Sequence, residues 1–182
     1  MTPRGGLRRF FGNRCAAVAM VVCGLACSHG REFTSESGRF RVWMPDHPGE
    51  WSEPLVTARR TVYLSWYQAA TRWAFGDQGV YMVATGVVIE PALDPEALLG
   101  EVKVSLARRL AVKGQGVAGE SRAVALGKGR HGEEFDIEVF EGLGYRVRLL
   151  LVGPRLYALV VGGEAAKTDD GARFFASFEC YE

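Results

Sequence analysis

His29, His47 and His131 are the side chains that change charge nearest neutral pH, so they are the first candidates for moving a proton or holding a metal. His29 follows an apolar run, His47 lies in the loop Pro45-Asp46-His47-Pro48-Gly49, and His131 lies in the glycine turn Gly127-Lys128-Gly129-Arg130-His131-Gly132. Asp46 beside His47, and Glu133 and Glu134 beside His131, supply carboxylates. A metal site needs several ligands converging at helical or turn spacing, and no pair of these residues has that spacing. Ser65 and Ser121 fall in expected strands, and no G-x-S-x-G nucleophile elbow is present. The residues therefore predict no catalytic group, no metal ligand and no cofactor.

Two stretches match G-x-G-x-x-G, and both stand in the wrong setting. Gly114 to Gly119 follows a helix and enters a strand, whereas a dinucleotide fingerprint runs from strand to helix. Gly127 to Gly132 follows a strand and precedes another, which leaves no helix N-terminus to face a pyrophosphate. Both read as glycine-rich turns. The run Thr61 to Phe75, TVYLSWYQAATRWAF, has two readings. Its aromatics are core and cross-strand packing, or some of Tyr63, Trp66, Tyr67 and Trp73 turn outward as an apolar binding face.

These residues are carried by alternating segments. In Glu133 to Phe140, Phe135, Ile137 and Val139 share one face and Glu134, Asp136 and Glu138 the other, a period of two that marks a half-buried strand. Tyr145, Val147, Leu149 and Leu151 repeat the apolar face after Glu141-Gly142-Leu143-Gly144. Matching like faces predicts Glu138 opposite Arg146 and Asp136 opposite Arg148, with Ile137 against Val147. The same face is expected to continue into Tyr157, Leu159 and Val161, on a strand apolar on both faces and hence central. Further strands are expected at Arg39 to Met44, Glu53 to Ala58, Thr61 to Ala70, Gly79 to Ile89 and Val117 to Leu126. Asp94-Pro95-Glu96 starts a helix to about Val112, with Leu99, Val102, Leu106 and Leu110 on one face. Thr168 caps a second helix to about Phe178. Strands, helix, strands, helix predicts an α+β fold, an antiparallel β-sheet flanked by two main helices.

The N-terminal segment has its own chemistry. Arg4, Arg8, Arg9 and Arg14 precede the apolar run Cys15 to Ala26, the order of a secretory signal peptide. Twelve residues make about 18 Å of helix, too short for a hydrocarbon core of roughly 30 Å. Gly24-Leu25-Ala26-Cys27 resembles the lipobox of bacterial lipoproteins, in which the cysteine after the cut is lipid-modified. Lipidation at Cys27 is the expectation; an ordinary cut at the same bond, leaving a thiol that could bridge to Cys180, is the alternative. The expected organisation is a signal peptide at 1–26, a tether at 27–32 and a single domain at 33–182.

Charge narrows the partners. The chain has 22 Lys and Arg against 21 Asp and Glu, a net +1. Removing the first 26 residues takes away four arginines and no acid, leaving 18 against 21, or −3. That balance argues against nucleic acid.

An S-x-S-G turn before Phe40-x-Val42-x-Met44-Pro45, the G-x-x-G-x-E-F-x-x-E element at Gly129 to Glu138, R-x-R-x-x-L at Arg146 to Leu151, R-L-Y-A-L at Arg155 to Leu159 and F-F-x-S-F at Phe174 to Phe178 follow in order. This series resembles uncharacterised bacterial lipoproteins of the PsbP-like group, over almost all of residues 27–182. The resemblance implies an antiparallel sheet flanked by helices and a non-enzymatic accessory or assembly role. Arg130-His131 departs from the Tyr-Pro or similar pair usual there, and the matching positions are core and turn positions, so no functional residue carries over. The expectation is thus an exported, lipid-anchored, non-enzymatic cell-envelope protein facing the periplasm or exterior, bound to the membrane through its anchor and to another envelope protein. The alternative is a small-ligand or metal-binding periplasmic module.

Overall fold

The computed structural model describes residues 30–72, 78–89, 94–111, 116–124, 130–139 and 144–181. The expected signal peptide, Cys27 and His29 lie outside the described residues, as do Trp73, Phe75 and the first residues of both glycine motifs, 114–115 and 127–129. Among the described residues the strands are β1 (Arg31–Ser35), β2 (Phe40–Met44), β3 (Gly49–Val56), β4 (Thr61–Arg72), β5 (Gln78–Val87), β6 (Val117–Ala118), β7 (Arg122–Ala123), β8 (Arg130–Glu138), β9 (Gly144–Val152), β10 (Arg155–Gly162) and β11 (Glu179–Cys180). The helices are α1 (Pro95–Leu110) and α2 (Asp169–Ala176), with a 3-10 turn at Gly163–Lys167.

These strands form two antiparallel sheets. The larger runs β3-β4-β5-β10-β9-β8-β6, with β7 also paired to β8, and the smaller runs β1-β2-β11. Each face of the large sheet has its own core. On one, Leu99, Val102 and Leu106 of α1 meet Val62, Leu64, Phe135, Ile137, Val147 and Leu149. On the other, Phe40, Val42 and Met44 of the small sheet join Phe174 and Phe175 of α2 over Tyr67, Tyr81, Tyr157 and Leu159.

The expected sheet flanked by two main helices is therefore corrected. The protein is mostly β, and α2, eight residues long, shares its side with a second sheet. The reason lies in β2. Phe40, Val42, Trp43 and Met44 are all buried, so this hairpin needs covering as much as a helix does, and a sheet packed on a sheet satisfies both. The helix starts follow the sequence. Asp94 Oδ1 accepts from Glu96 N at 3.1 Å with Pro95 in the first turn, and Thr168 Oγ1 accepts from Gly171 N.

Three registers differ from expectation. Asp136 faces Arg146 and Glu134 faces Arg148, with Phe135 against Val147, two residues from the predicted pairing. A slip of two keeps every side chain on its face, so alternation specifies register only to the nearest even number. At the β9–β10 turn, Arg155 pairs with Val152 across a loop of Gly153 and Pro154. Gly153 has φ 54°, the positive value such a short loop needs at its first position. That pairing puts Leu156, Ala158 and Val160, rather than Tyr157, Leu159 and Val161, on the face of Val147 and Leu149. Finally, the strand expected from Val117 is two short pieces. Val117 pairs with Glu138 but Arg122 with Glu134, so one extra residue bulges between them, where Gly119 N donates to Asp136 O.

Candidate docking groove

The large sheet outruns its cover at one end. There β4 begins, β5 ends and β10 begins, and the small sheet reaches only as far as the β1–β2 turn, Glu36 to Arg39. Side chains on this face alternate along β4 as Tyr67, Ser65 and Tyr63. Tyr67 is buried under the small sheet, and its hydroxyl accepts from Ser35 Oγ at 2.9 Å. Tyr63, four residues nearer the strand's start, is 75% exposed. Along β5 the same change runs from buried Thr85 to half-exposed Val87 and, just past the strand, to Ile89 at 88% exposure. Val56, at the end of β3, adds another exposed apolar side chain. Gly86 lets β4 and β5 close up here, since a Cβ at that position would stand 2.4 Å from the Tyr63 carbonyl oxygen.

Three depressions share this corner. One of about 580 Å³ lies between Arg59, Tyr63, Val87 and Ile89. Another of about 310 Å³ lies between Arg39, Pro154, Arg155, Tyr157 and Tyr181. Between them a smaller one, about 190 Å³, has Ser37, Thr85, Val87 and Arg155 in its walls. The Thr85 hydroxyl oxygen is buried and has no hydrogen-bond partner among the described residues. The first and the smallest share Tyr63 and Val87, and the smallest and the second share Val87 and Arg155, so the three adjoin as one groove with apolar walls and the hydroxyls of Ser37 and Thr85 at its centre.

Its arginines are held differently. Arg59 and Arg60 both approach Glu101 of α1, at 3.3 and 3.5 Å, which pins the β3–β4 turn to the helix. Arg155 donates to the Ser37 carbonyl at 3.3 Å. Arg39 takes the left-handed φ of 54°, and its carbonyl accepts from Tyr157 Oη at 3.2 Å and from Tyr181 N at 3.1 Å. Neither Arg39 nor Arg155 makes an ion pair among the described residues. Burial pushes the Tyr157 hydroxyl up to about 12, with a smaller rise from Cys180 and an opposing effect of Arg155 and Arg39.

The residues singled out for chemistry do not gather. His47 is exposed beyond β2, its amide donating to Asp46 Oδ1 at 2.7 Å and its ring 6.2 Å from Phe33. His131 lies on β8 opposite Leu151, in the strand rather than the glycine turn. No group of three or more His, Cys, Asp or Glu able to hold a metal occurs among the described residues. Ser121 accepts from Lys103 Nζ at 2.7 Å, and Ser65 shares a hydrogen bond with Ser52. The hairpin charges neutralise one another. Arg148 meets Glu134 at 2.7 Å and lies over the Phe175 ring, Arg146 meets Asp136 at 3.1 Å, and Arg122 spans both carboxylates. Cys180 is a partly buried thiol on β11.

The aromatic run divides between the two expected readings. Trp66 and Tyr67 point to opposite faces and both are buried, because each face has a core, while Tyr63 is outward. Arg39 and Arg155 stand beside the β1–β2 and β9–β10 turns, and Val87 and Ile89 at the end of β5, positions that acquire meaning only once those segments meet. No family model and no curated protein matches the chain.

Proposed function

We propose that this chain is a non-enzymatic envelope protein, exported by residues 1–26, held at a membrane through Cys27, and docked to another envelope protein by the groove at the β4–β5–β10 end. The observation that carries the reading is the cluster Tyr63, Val87 and Ile89, large apolar side chains left open beside a face whose core side chains Tyr67, Tyr81, Tyr157 and Leu159 are covered. Contiguous exposed apolar surface rimmed by polar groups marks association sites. The ion-paired hairpin and the scattered histidines add no reactive centre to it. The PsbP-like resemblance supports the non-enzymatic role but assigns no residue a part in it, so the choice of groove does not depend on it.

The test is a crosslinking pull-down of the tagged full chain from native envelope membranes. A dominant partner should be captured by the wild type, reduced several-fold by Tyr63→Ser with Ile89→Ser, and reduced by Cys27→Ser. Both groove residues are exposed, so thermal stability should change little. Capture indifferent to the groove substitutions sinks the reading.

A second reading has one observation of its own. Trp51 and Trp66 stack at 5.9 Å beside Tyr145, Met82 and Leu110 around a cleft of about 210 Å³, and the buried Trp66 Nε1 has no partner among the described residues. A small planar ligand with a hydrogen-bond acceptor would suit it, and native mass spectrometry of protein purified from envelope would show the added mass.

A further inference from the structure

We infer that the segment docked in the groove is acidic as well as apolar: an extended peptide whose carboxylates meet Arg39 and Arg155 while its apolar side chains lie on Tyr63, Val87 and Ile89. This deepens the docking reading and rests on it.

Charge complementarity is the first argument. Outside the first 26 residues the chain carries 18 basic and 21 acidic residues, yet among the described residues every charged side chain lining the three depressions is an arginine: Arg39, Arg59, Arg60 and Arg155. Arg59 and Arg60 are partly spent on Glu101, whereas Arg39 and Arg155, which line the same depression, make no ion pair with a carboxylate among the described residues. Guanidinium groups beside apolar walls hold carboxylates through charge-assisted hydrogen bonds.

Backbone strain is the second. Arg39 occupies the left-handed region, where glycine or asparagine is ordinarily found. Two hydrogen bonds to its carbonyl, from Tyr157 and Tyr181, hold that conformation. An arginine kept at a position suited to glycine places a cation at the mouth of the groove.

The place of the groove relative to β1 favours a peptide over an anionic bilayer. β1 starts at Arg31, close after Cys27, and ends at Ser35, next to the turn that walls the groove. Five residues of strand span about 16 Å. The groove thus opens at the end of β1 remote from Arg31, about 16 Å from where the chain enters the small sheet after the proposed anchor.

Binding of the full chain is measured by anisotropy with a labelled peptide alternating Glu and Leu, its Lys and Leu counterpart, and phosphatidylglycerol vesicles. The Glu and Leu peptide should bind, and the Lys and Leu peptide should not. Arg39→Gln and Arg155→Gln should each weaken binding about tenfold, or about 1.4 kcal/mol. Arg122→Gln, on the hairpin ladder, should leave it unchanged. Equal binding of the two peptides, or indifference to Arg39 and Arg155, overturns the inference. Vesicle binding that depends on these arginines, with no peptide binding, assigns the groove to lipid and also overturns it. If membrane capture is lost with Tyr63→Ser but kept with Arg39→Gln and Arg155→Gln, the docking reading stands and the acidic partner falls; capture indifferent to all of them removes both.

Discussion

Arg39 shows how much one residue's backbone can decide. Its φ of 54° costs an arginine about 1–2 kcal/mol that a glycine would not incur. Arg39→Gly should therefore leave stability unchanged or raise it by up to about 1 kcal/mol in urea unfolding, offset by glycine's freer unfolded chain, while weakening peptide binding. A large loss of stability would show that the side chain, rather than the turn, is structural. Tyr157, which donates to Arg39, makes a pH prediction. Its folded pKa of about 12 lies above the unfolded value near 10, so the folded state holds the proton more tightly. The contribution is complete below about pH 10 and is lost as pH rises toward 12. Tyr81, raised by burial first and by Asp170 second, adds to the slope. Denaturation midpoints measured across that window should fall with pH, and Tyr157→Phe should flatten the fall.

At the scale of elements, the β8–β9 hairpin separates what patterning specifies from what it leaves open. Like-face matching is met by two registers, and the structure takes the one that sets Glu134 against Arg148. That pair is three-quarters or more buried at both side chains and is packed on Phe175 of α2. Contact with α2, absent from any local view of the hairpin, is the added preference. A double-mutant cycle on Glu134 and Arg148 should give a coupling of about 1 kcal/mol, the upper end for ion pairs of this kind. The Glu138 and Arg146 cycle should give none; coupling there instead would restore the originally expected register. The bulge between β6 and β7 has the same origin, since an inserted residue shows itself only in the pairing with β8.

The whole molecule has two cores on one sheet, and Trp66 and Tyr67 are adjacent residues that enter different ones. Each is large and fully buried, so truncation to Ala should cost about 3–5 kcal/mol. If the two cores share one cooperative unit through the sheet, either substitution should lower a single thermal transition; two separate transitions would mean that the faces fold independently. The sequence by itself determined both helix segments and the longer strands, though not the bulged β6–β7 edge, together with the capped starts of α1 and α2, the antiparallel pairing and the centrality of β10, because periodicity, caps and turns are written in neighbouring residues. It did not determine that Phe40, Val42 and Met44 belong to a second sheet, nor that the β1–β2 turn stops short of Tyr63, nor that Arg39 and Arg155 line one depression. Those depend on which segments far apart in the chain cover which face, and a residue's periodicity carries no record of what lies across from it. The groove is made where that cover ends, so the tertiary structure alone decided it.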